Sequence, residues 1–311
     1  MTGALAQLFD NLGGLDGRLL RNEPMARHTS WQVGGPAAVF FRPATIDGLT
    51  AALELVCEAG IPWLVVGAGS NLLVRDGGFS GLVLCTRDLD RLSWAQDGAV
   101  RAECGVPLPK LARASADRGL AGIERLAGIP GTLGAAVAIN AGAAGQEVGQ
   151  TVRRARIWAQ QGGCRWRDRA ELAFAYRHSA LTGREVVLEA ELAFRQSDPD
   201  RLRQALTAAL AARRSSQAVE GANAGSVFRN PEGYKAWELI DRAGLRGQRI
   251  GNAMVSRIHC NFIVNLGGAT ATEIESLIDL VQTRVERQYG IRLLPEVRIV
   301  GSHVETGQRE H

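Results

Sequence analysis

The chain has 311 residues, 46% of them hydrophobic and 22% charged, which suits a folded protein with a sizeable core and enough length for about two domains. Its net charge of +4 is carried by arginine, with Lys110 and Lys235 the only lysines and no basic run longer than Arg153-Arg154 or Arg213-Arg214. That excludes the dense basic footprint of a nucleic-acid binder and suits a small anionic ligand. No apolar run reaches membrane-spanning length, and the opening MTGALAQLFDNLGG has no basic stretch ahead of an apolar one, so a cytoplasmic chain without a signal peptide is expected. Cys57, Cys85, Cys104, Cys164 and Cys260 are odd in number and widely spaced, so free thiols are expected rather than a disulfide framework or a zinc site, and no metal is assigned.

From about residue 36 the pattern reads strand AAVFFRP, helix IDGLTAALELVCEAG stopped at Gly60, and strand PWLVVGAG. Residues 80 to about 196 follow as short apolar runs with glycine turns (GLVLCT, AVRAECG, RRARIWA, REVVLEAELAF), interrupted by a helix over LPKLARASADRGL. Pro199 then suits the first turn of a helix over DRLRQALTAALAARR. Next come the stretch ANAGSVFRNP, a short helix around KAWELIDRAG stopped by Gly244, and a strand CNFIVNLG. The strongest helix signal is TATEIESLIDLVQTRVERQYG, with a Thr270–Glu273 capping box, an apolar face from 274 to 285 and a terminal Gly290; a strand LLPEVRIVG ends the series.

Two glycine-rich stretches stand out. VVGAGSNLLV follows an apolar strand but fails the dinucleotide fingerprint, because Leu72 occupies the third glycine position and no helix pattern opens there. What remains is strand, Gly-Ser-Asn loop and strand, which can aim successive backbone N–H groups at phosphate or can be a plain turn. GIPGTLGAAVAINAGAAG, residues 128 to 145, is dominated by glycine and alanine. So little apolar bulk forfeits hydrophobic stabilisation of about 25 cal/mol per Å², and close backbone approach to a large flat ligand would explain it.

Those two stretches, with TSWQVGGPA, FAYRHSAL, GSVFRNP and LPEVR, occur in an order and spacing that resemble the UDP-N-acetylenolpyruvoylglucosamine reductase family over roughly residues 28 to 301. The shorter of its two types, without a tyrosine-bearing insertion, is the one resembled. The resemblance implies an α+β chain with a vanillyl-alcohol oxidase/PCMH-type FAD-binding fold in two subdomains, residues 1–80 and 81–198, and a C-terminal α+β substrate-binding domain, 199–311. It implies noncovalent FAD, with Gly67, Ala68, Gly69, Ser70 and Asn71 against the pyrophosphate and Gly131, Thr132, Gly134, Ala135, Asn140 and Ala141 along the flavin. NADPH is the implied reductant, and the enolpyruvyl ether of UDP-N-acetylglucosamine the implied substrate, reduced to UDP-N-acetylmuramate for cell-wall synthesis. Both partners are small molecules; no nucleic acid, no membrane and a monomer are expected.

Hydride addition at the methylene carbon of the enolpyruvyl group leaves negative charge at the carbon bearing the carboxylate. That charge needs a fixed cation and a proton. By the resemblance Arg177 is the cation, whose planar fork matches a carboxylate, Glu296 helps stabilise or protonate the enolic intermediate, and Ser226 donates the proton. Tyr176, Asn230 and Lys235 are candidate contacts to substrate or to NADPH phosphates. Read without the resemblance, Ser226 is turn chemistry, Arg177 a solvated arginine and Glu296 a solvent-facing strand carboxylate. Departures from the family pattern are Arg229 in place of lysine, the proline-free SSQAVEGANAGS ahead of the serine, and Cys260 in place of alanine. A flavin oxidase of the same fold would keep the glycine stretches but has no reason to keep YRHS, GSVFRNP and LPEVR together. A hydrolase acting through Ser226 lacks a G-x-S-x-G elbow, and a silent nucleotide-binding module would not need all three catalytic candidates.

Overall fold

A computed structural model describes residues 3–95, 98–216, 219 and 221–304. It divides into two compact units, each assembled from three chain segments: residues 1–20, 40–68 and 82–215 in the first, 21–39, 69–81 and 216–311 in the second.

In the first unit, the helix Ile46–Glu58 starts where the Thr45 hydroxyl accepts from Gly48 N–H at 3.0 Å, and it leads to a strand, Trp63–Val66, parallel to Leu82–Cys85. The expected strand-helix-strand is therefore present. The larger sheet is five-stranded and antiparallel, in the order Gly163–Asp168, Val152–Ala159, Glu185–Ala193, Ala99–Glu103, Leu92–Trp94. Alternation along EVVLEAELA sends Ala190 and Leu192 into the core and Glu189 and Glu191 to the other face. There Arg101 pairs with Glu189 and Arg154 with Glu191, both at 2.7 Å, and both guanidiniums lie over Trp166. The core face is covered by the helices Leu108–Asp117, Leu133–Ala138 and, through Leu202 and Leu206, Pro199–Ser216.

The helix Leu133–Ala138 corrects the sequence reading of residues 128 to 145. Leu133, Ala136, Val137 and Ala141 are buried in the core, so one side of this stretch does pack, and its other side exposes Ala135 and, past the helix, Ile139. A six-residue helix without a side-chain cap gives too short a periodic signal to read.

The second unit is built on a four-stranded antiparallel sheet, Ala222–Asn223, Ile263–Asn265, Ala253–Val255, Arg249–Ile250, packed by the helices Ala236–Arg242 and Ala271–Tyr289. The Thr270–Glu273 capping box and Gly290, at φ 68°, bound the long helix as expected. Asp76 adds to its N-terminus, accepting from Ala271 and Thr272 N–H, both at 2.8 Å, and from the Thr272 hydroxyl at 2.6 Å. Beside it Arg75 makes a bidentate pair with Glu275. The Trp31 indole donates to the Ile263 carbonyl at 2.7 Å, and Asn265 donates back to the Trp31 carbonyl. A separate parallel pair joins Leu72–Val74 to Arg298–Val300.

Two expected strands are shorter than their patterns. CNFIVNLG is a strand only over Ile263–Asn265, and LLPEVRIVG only over Arg298–Val300. Ahead of the strands, Asn261 in one and Leu294 and Glu296 in the other bond the serine stretch instead. Of the proline-free SSQAVEGANAGS, residues 217, 218 and 220 lie outside the described residues. All five cysteines are free; Cys85, Cys104 and Cys260 are buried, and burial pushes the Cys104 thiol up to about 12. Among the described residues no helix is long and apolar enough to cross a membrane, and no cluster of His, Cys, Asp and Glu could hold a metal.

Candidate active site

In the first unit the candidate residues gather around Asn140. Tyr176 and Arg177 are the two central residues of a tight turn closed by paired hydrogen bonds between Ala175 and His178. Arg177 sits at φ 52°, a left-handed conformation that a non-glycine side chain adopts at a cost. Its guanidinium donates to the Gly142 carbonyl at 2.8 Å and lies 5.3 Å from the Tyr176 ring centre. Tyr176 itself is 59% exposed.

Asn140, 1% exposed and itself at φ 48°, fixes the turn from below. Its amide nitrogen donates to the Ala175 carbonyl and to Glu147, both at 2.9 Å, and its oxygen accepts from Gly149 N–H at 3.0 Å. The side chain expected along the flavin is thus engaged by protein and shapes the arginine turn. Gly134 is likewise explained from within, because a Cβ there would meet Cys104 Cβ at 2.8 Å while its N–H donates to the Cys104 carbonyl. Gly131 and Thr132 are pinned against Pro107 and Leu108, and Ala141 closes the short helix through its N–H to Ala136. Of this set Ala135 alone is exposed.

The Gly67–Asn71 loop is held by its carbonyls. Arg87 donates to those of Gly67 and Ala68, Ser30 N–H to that of Gly69, and Arg298 N–H to that of Asn71. A planar trans peptide points each N–H opposite the preceding carbonyl, so the N–H groups of Ala68, Gly69 and Ser70 face away from those partners. The two glycines are required for this: a Cβ at Gly67 would run into the Thr132 hydroxyl, and one at Gly69, at φ 68°, into the His28 carbonyl. A bulk-free loop whose carbonyls are held by protein leaves its amides on the side away from those partners, as a pyrophosphate needs, and the exposed Ala135 side of Leu133–Ala138 suits a flat ring system. The residues present fit FAD.

In the second unit the segment after Ser226 pairs with the one that ends at Glu296. The segment Val227–Arg229 lies antiparallel to Leu294–Glu296: Glu296 N–H donates to the Val227 carbonyl at 2.7 Å, and Arg229 N–H to the Leu294 carbonyl at 2.9 Å. Asn71 holds the same strand from the loop side, its amide donating to the Glu296 carbonyl at 3.1 Å. Asn71, expected to contact the cofactor, therefore orients Glu296 through its side chain. Asn230 accepts from Ala236 N–H at 3.0 Å, which caps the helix that Lys235 precedes, and Lys235 is exposed.

The sequence reading missed Asn261. It is 4% exposed, and its side chain pairs with both polar groups of the Phe228 backbone: Phe228 N–H donates to its oxygen at 2.9 Å and its nitrogen donates to the Phe228 carbonyl at 2.8 Å. Its own carbonyl accepts from Val227 N–H at 2.8 Å. In an apolar run that reads as strand, its two amides, Asn261 and Asn265, were the available signal.

Residues 36–166, which include the Gly67–Asn71 loop and the helix Leu133–Ala138, match the model of an FAD binding domain. The class so defined is a flavin-dependent oxidoreductase. Residues 217–300 match the C-terminal domain of UDP-N-acetylenolpyruvoylglucosamine reductase. The reductase of that name from Syntrophotalea carbinolica is 46% identical over 90% of this chain and 93% of its own, and that from Geobacter metallireducens 45% identical over 92% and 95%. The crystal structure of the reductase from Thermus caldophilus superposes with a TM-score of 0.78 at 30% identity, covering 92% of this chain and all of that one. The chain belongs to the UDP-N-acetylenolpyruvoylglucosamine reductase family, and the expected α+β FAD-binding fold is present.

Proposed function

We propose that this protein reduces UDP-N-acetylenolpyruvoylglucosamine to UDP-N-acetylmuramate with NADPH, in the cytoplasm, as a step of peptidoglycan precursor synthesis. FAD, held noncovalently, relays the hydride when bound. Residues 1–80 and 81–198 serve the cofactor and 199–311 the substrate. The Gly67–Asn71 loop holds the pyrophosphate with its backbone amides. Arg177 neutralises the substrate carboxylate as charge builds on the adjacent carbon, with Tyr176, Asn230 and Lys235 contacting substrate or NADPH. Ser226 delivers the proton to that carbon, and Glu296 stabilises the enolic form.

The observation that supports this reading is that the residue after Ser226 is tied to Glu296, whose N–H donates to the Val227 carbonyl at 2.7 Å. Turn chemistry alone gives no reason to bond the serine segment to the strand that carries Glu296. No histidine is needed, because the serine gives up a proton to a carbanionic centre rather than attacking a carbonyl. The test is to load the protein with FAD, reduce it with NADPH without oxygen, and add the enolpyruvyl substrate. Prompt return of the oxidised flavin spectrum with formation of the lactyl ether is expected. A protein that takes up no FAD, or whose reduced flavin ignores that substrate, defeats the proposal.

A further inference from the structure

Ser226 is held asymmetrically. Upstream, Gly225 is at φ 75° with open space around its Cβ position, and its N–H is bound only locally, to the Asn223 side chain at 3.1 Å. Downstream, the N–H and carbonyl of both Val227 and Phe228 and the N–H of Arg229 are all engaged. A glycine hinge cannot fix a hydroxyl, so Ser226 inherits its place from the pinned residues that follow. Three of those five hydrogen bonds come from one residue, Asn261: two through its side chain and one through its carbonyl. The other two come from Leu294 and Glu296. Asn261 thus takes the part of a neighbouring strand, bonding the serine segment on the edge opposite Glu296.

We infer that Asn261 is a positioning residue for proton delivery, setting Ser226 in register with Glu296; the inference rests on the proposed role of Ser226 as the proton donor. Asn261→Asp keeps the side chain's shape and its acceptor for Phe228 N–H but turns an oxygen toward the Phe228 carbonyl. That buried carbonyl can recover a partner only by rotating its peptide, and rotation there shifts Ser226 against Glu296. Misplacing a reacting group by about 1 Å can cost about 10²-fold in rate.

The experiment uses the FAD-loaded full chain and compares Asn261→Asp, Ser226→Ala and the double variant in the two half-reactions. We expect reduction by NADPH at the unaltered chain's rate, and oxidation by the enolpyruvyl substrate slowed about 10- to 100-fold with a raised solvent deuterium isotope effect. In the Ser226→Ala background the same substitution should cost nothing further, because there is no hydroxyl left to position. An unaltered oxidation rate, or an equal loss in both backgrounds, overturns the inference and leaves Asn261 a packing residue. If Ser226→Ala itself oxidises normally, the reading of Ser226 falls and the inference with it; a crippled Ser226→Ala beside a normal Asn261→Asp condemns the inference alone. Should Asn261→Asp fail to fold with FAD, Asn261→Ser, which shortens the side chain without adding charge, answers by the same cycle.

Discussion

The Tyr176–Arg177 turn of the first unit and the Ser226–Phe228 segment of the second are each anchored by one buried asparagine, Asn140 and Asn261, yet in opposite ways. Asn140 grips the carbonyl one residue before the turn's centre and leaves Arg177 in a left-handed conformation, its guanidinium steadied by the Gly142 carbonyl. Asn261 grips the chain after its functional residue and leaves the residue before it a glycine. Side-chain reach accounts for the difference. A guanidinium stands at the end of a long flexible stem and needs an anchor of its own, whereas a serine hydroxyl goes where its backbone goes.

The contrast is most exposed at the serine. Ser226→Ala should leave FAD binding and reduction by NADPH nearly intact while turnover of the enolpyruvyl substrate falls by about 10² to 10⁴, the range for a positioned proton donor. Stopped-flow traces of the two half-reactions decide it; unaltered oxidation would falsify the role. Next in size, Arg177→Lys keeps the charge but loses the planar fork, so the same oxidation step should slow by about tenfold or more, short of the 10² to 10³ typical of losing an electrostatic donor outright. Equal losses in both half-reactions would move Arg177 to the cofactor.

Asn140→Ala tests the turn's anchor through stability. It strips partners from the Ala175 carbonyl and Gly149 N–H and puts alanine at φ 48°, so urea unfolding should report a loss of about 1 to 3 kcal/mol. A variant as stable as the parent would mean that the turn holds itself.

The smallest effect concerns Asp76. Burial raises its pKa, but hydrogen bonds from the Thr272 hydroxyl and from Ala271 and Thr272 N–H outweigh that, and the net shift is downward. A folded pKa below the unfolded one contributes stability above the unfolded value, near 4, which is lost as pH falls through the folded value. Asp76→Asn should therefore cost about 0.5 to 2 kcal/mol at neutral pH, as lost caps do, and flatten the acid limb of the stability curve below about pH 4. An unchanged acid limb would show that other carboxylates set it.

Elements with local signals were legible in the sequence. The helix Ala271–Tyr289 announced its cap, its apolar face and its terminal glycine, and the strand, loop and strand at residues 63 to 74 could be read from glycine chemistry. The hydrogen-bond roles of the asparagines were not. Asn140 meets Ala175 35 residues on, Asn261 meets Phe228 33 residues back, and Asn71 meets Glu296 225 residues away. In sequence Asn71 and Asn140 look like loop asparagines and Asn261 like a polar residue in a strand, because what distinguishes each is a backbone group brought up by tertiary structure. The small-residue stretch at 128 to 145 was half legible for the same reason: composition reported its bare side and hid its packed one.

The parallel pair that follows Glu296 sets an order of events during synthesis. Leu72–Val74 has Arg298–Val300 as its ladder partner, and the adjoining bond between Asn71 and Glu296 spans 225 residues. At about 5 to 20 residues per second, a ribosome leaves that Leu-Leu-Val edge unsatisfied for roughly 10 to 45 s after it emerges. Throughout that interval the Gly67–Asn71 loop next to it has no Arg298 amide to bond, and so lacks one of its fastenings. The apolar edge is meanwhile open to pairing with another chain. Overproduction should therefore favour aggregation before the last residues are made, and slower synthesis should lengthen the exposure rather than relieve it.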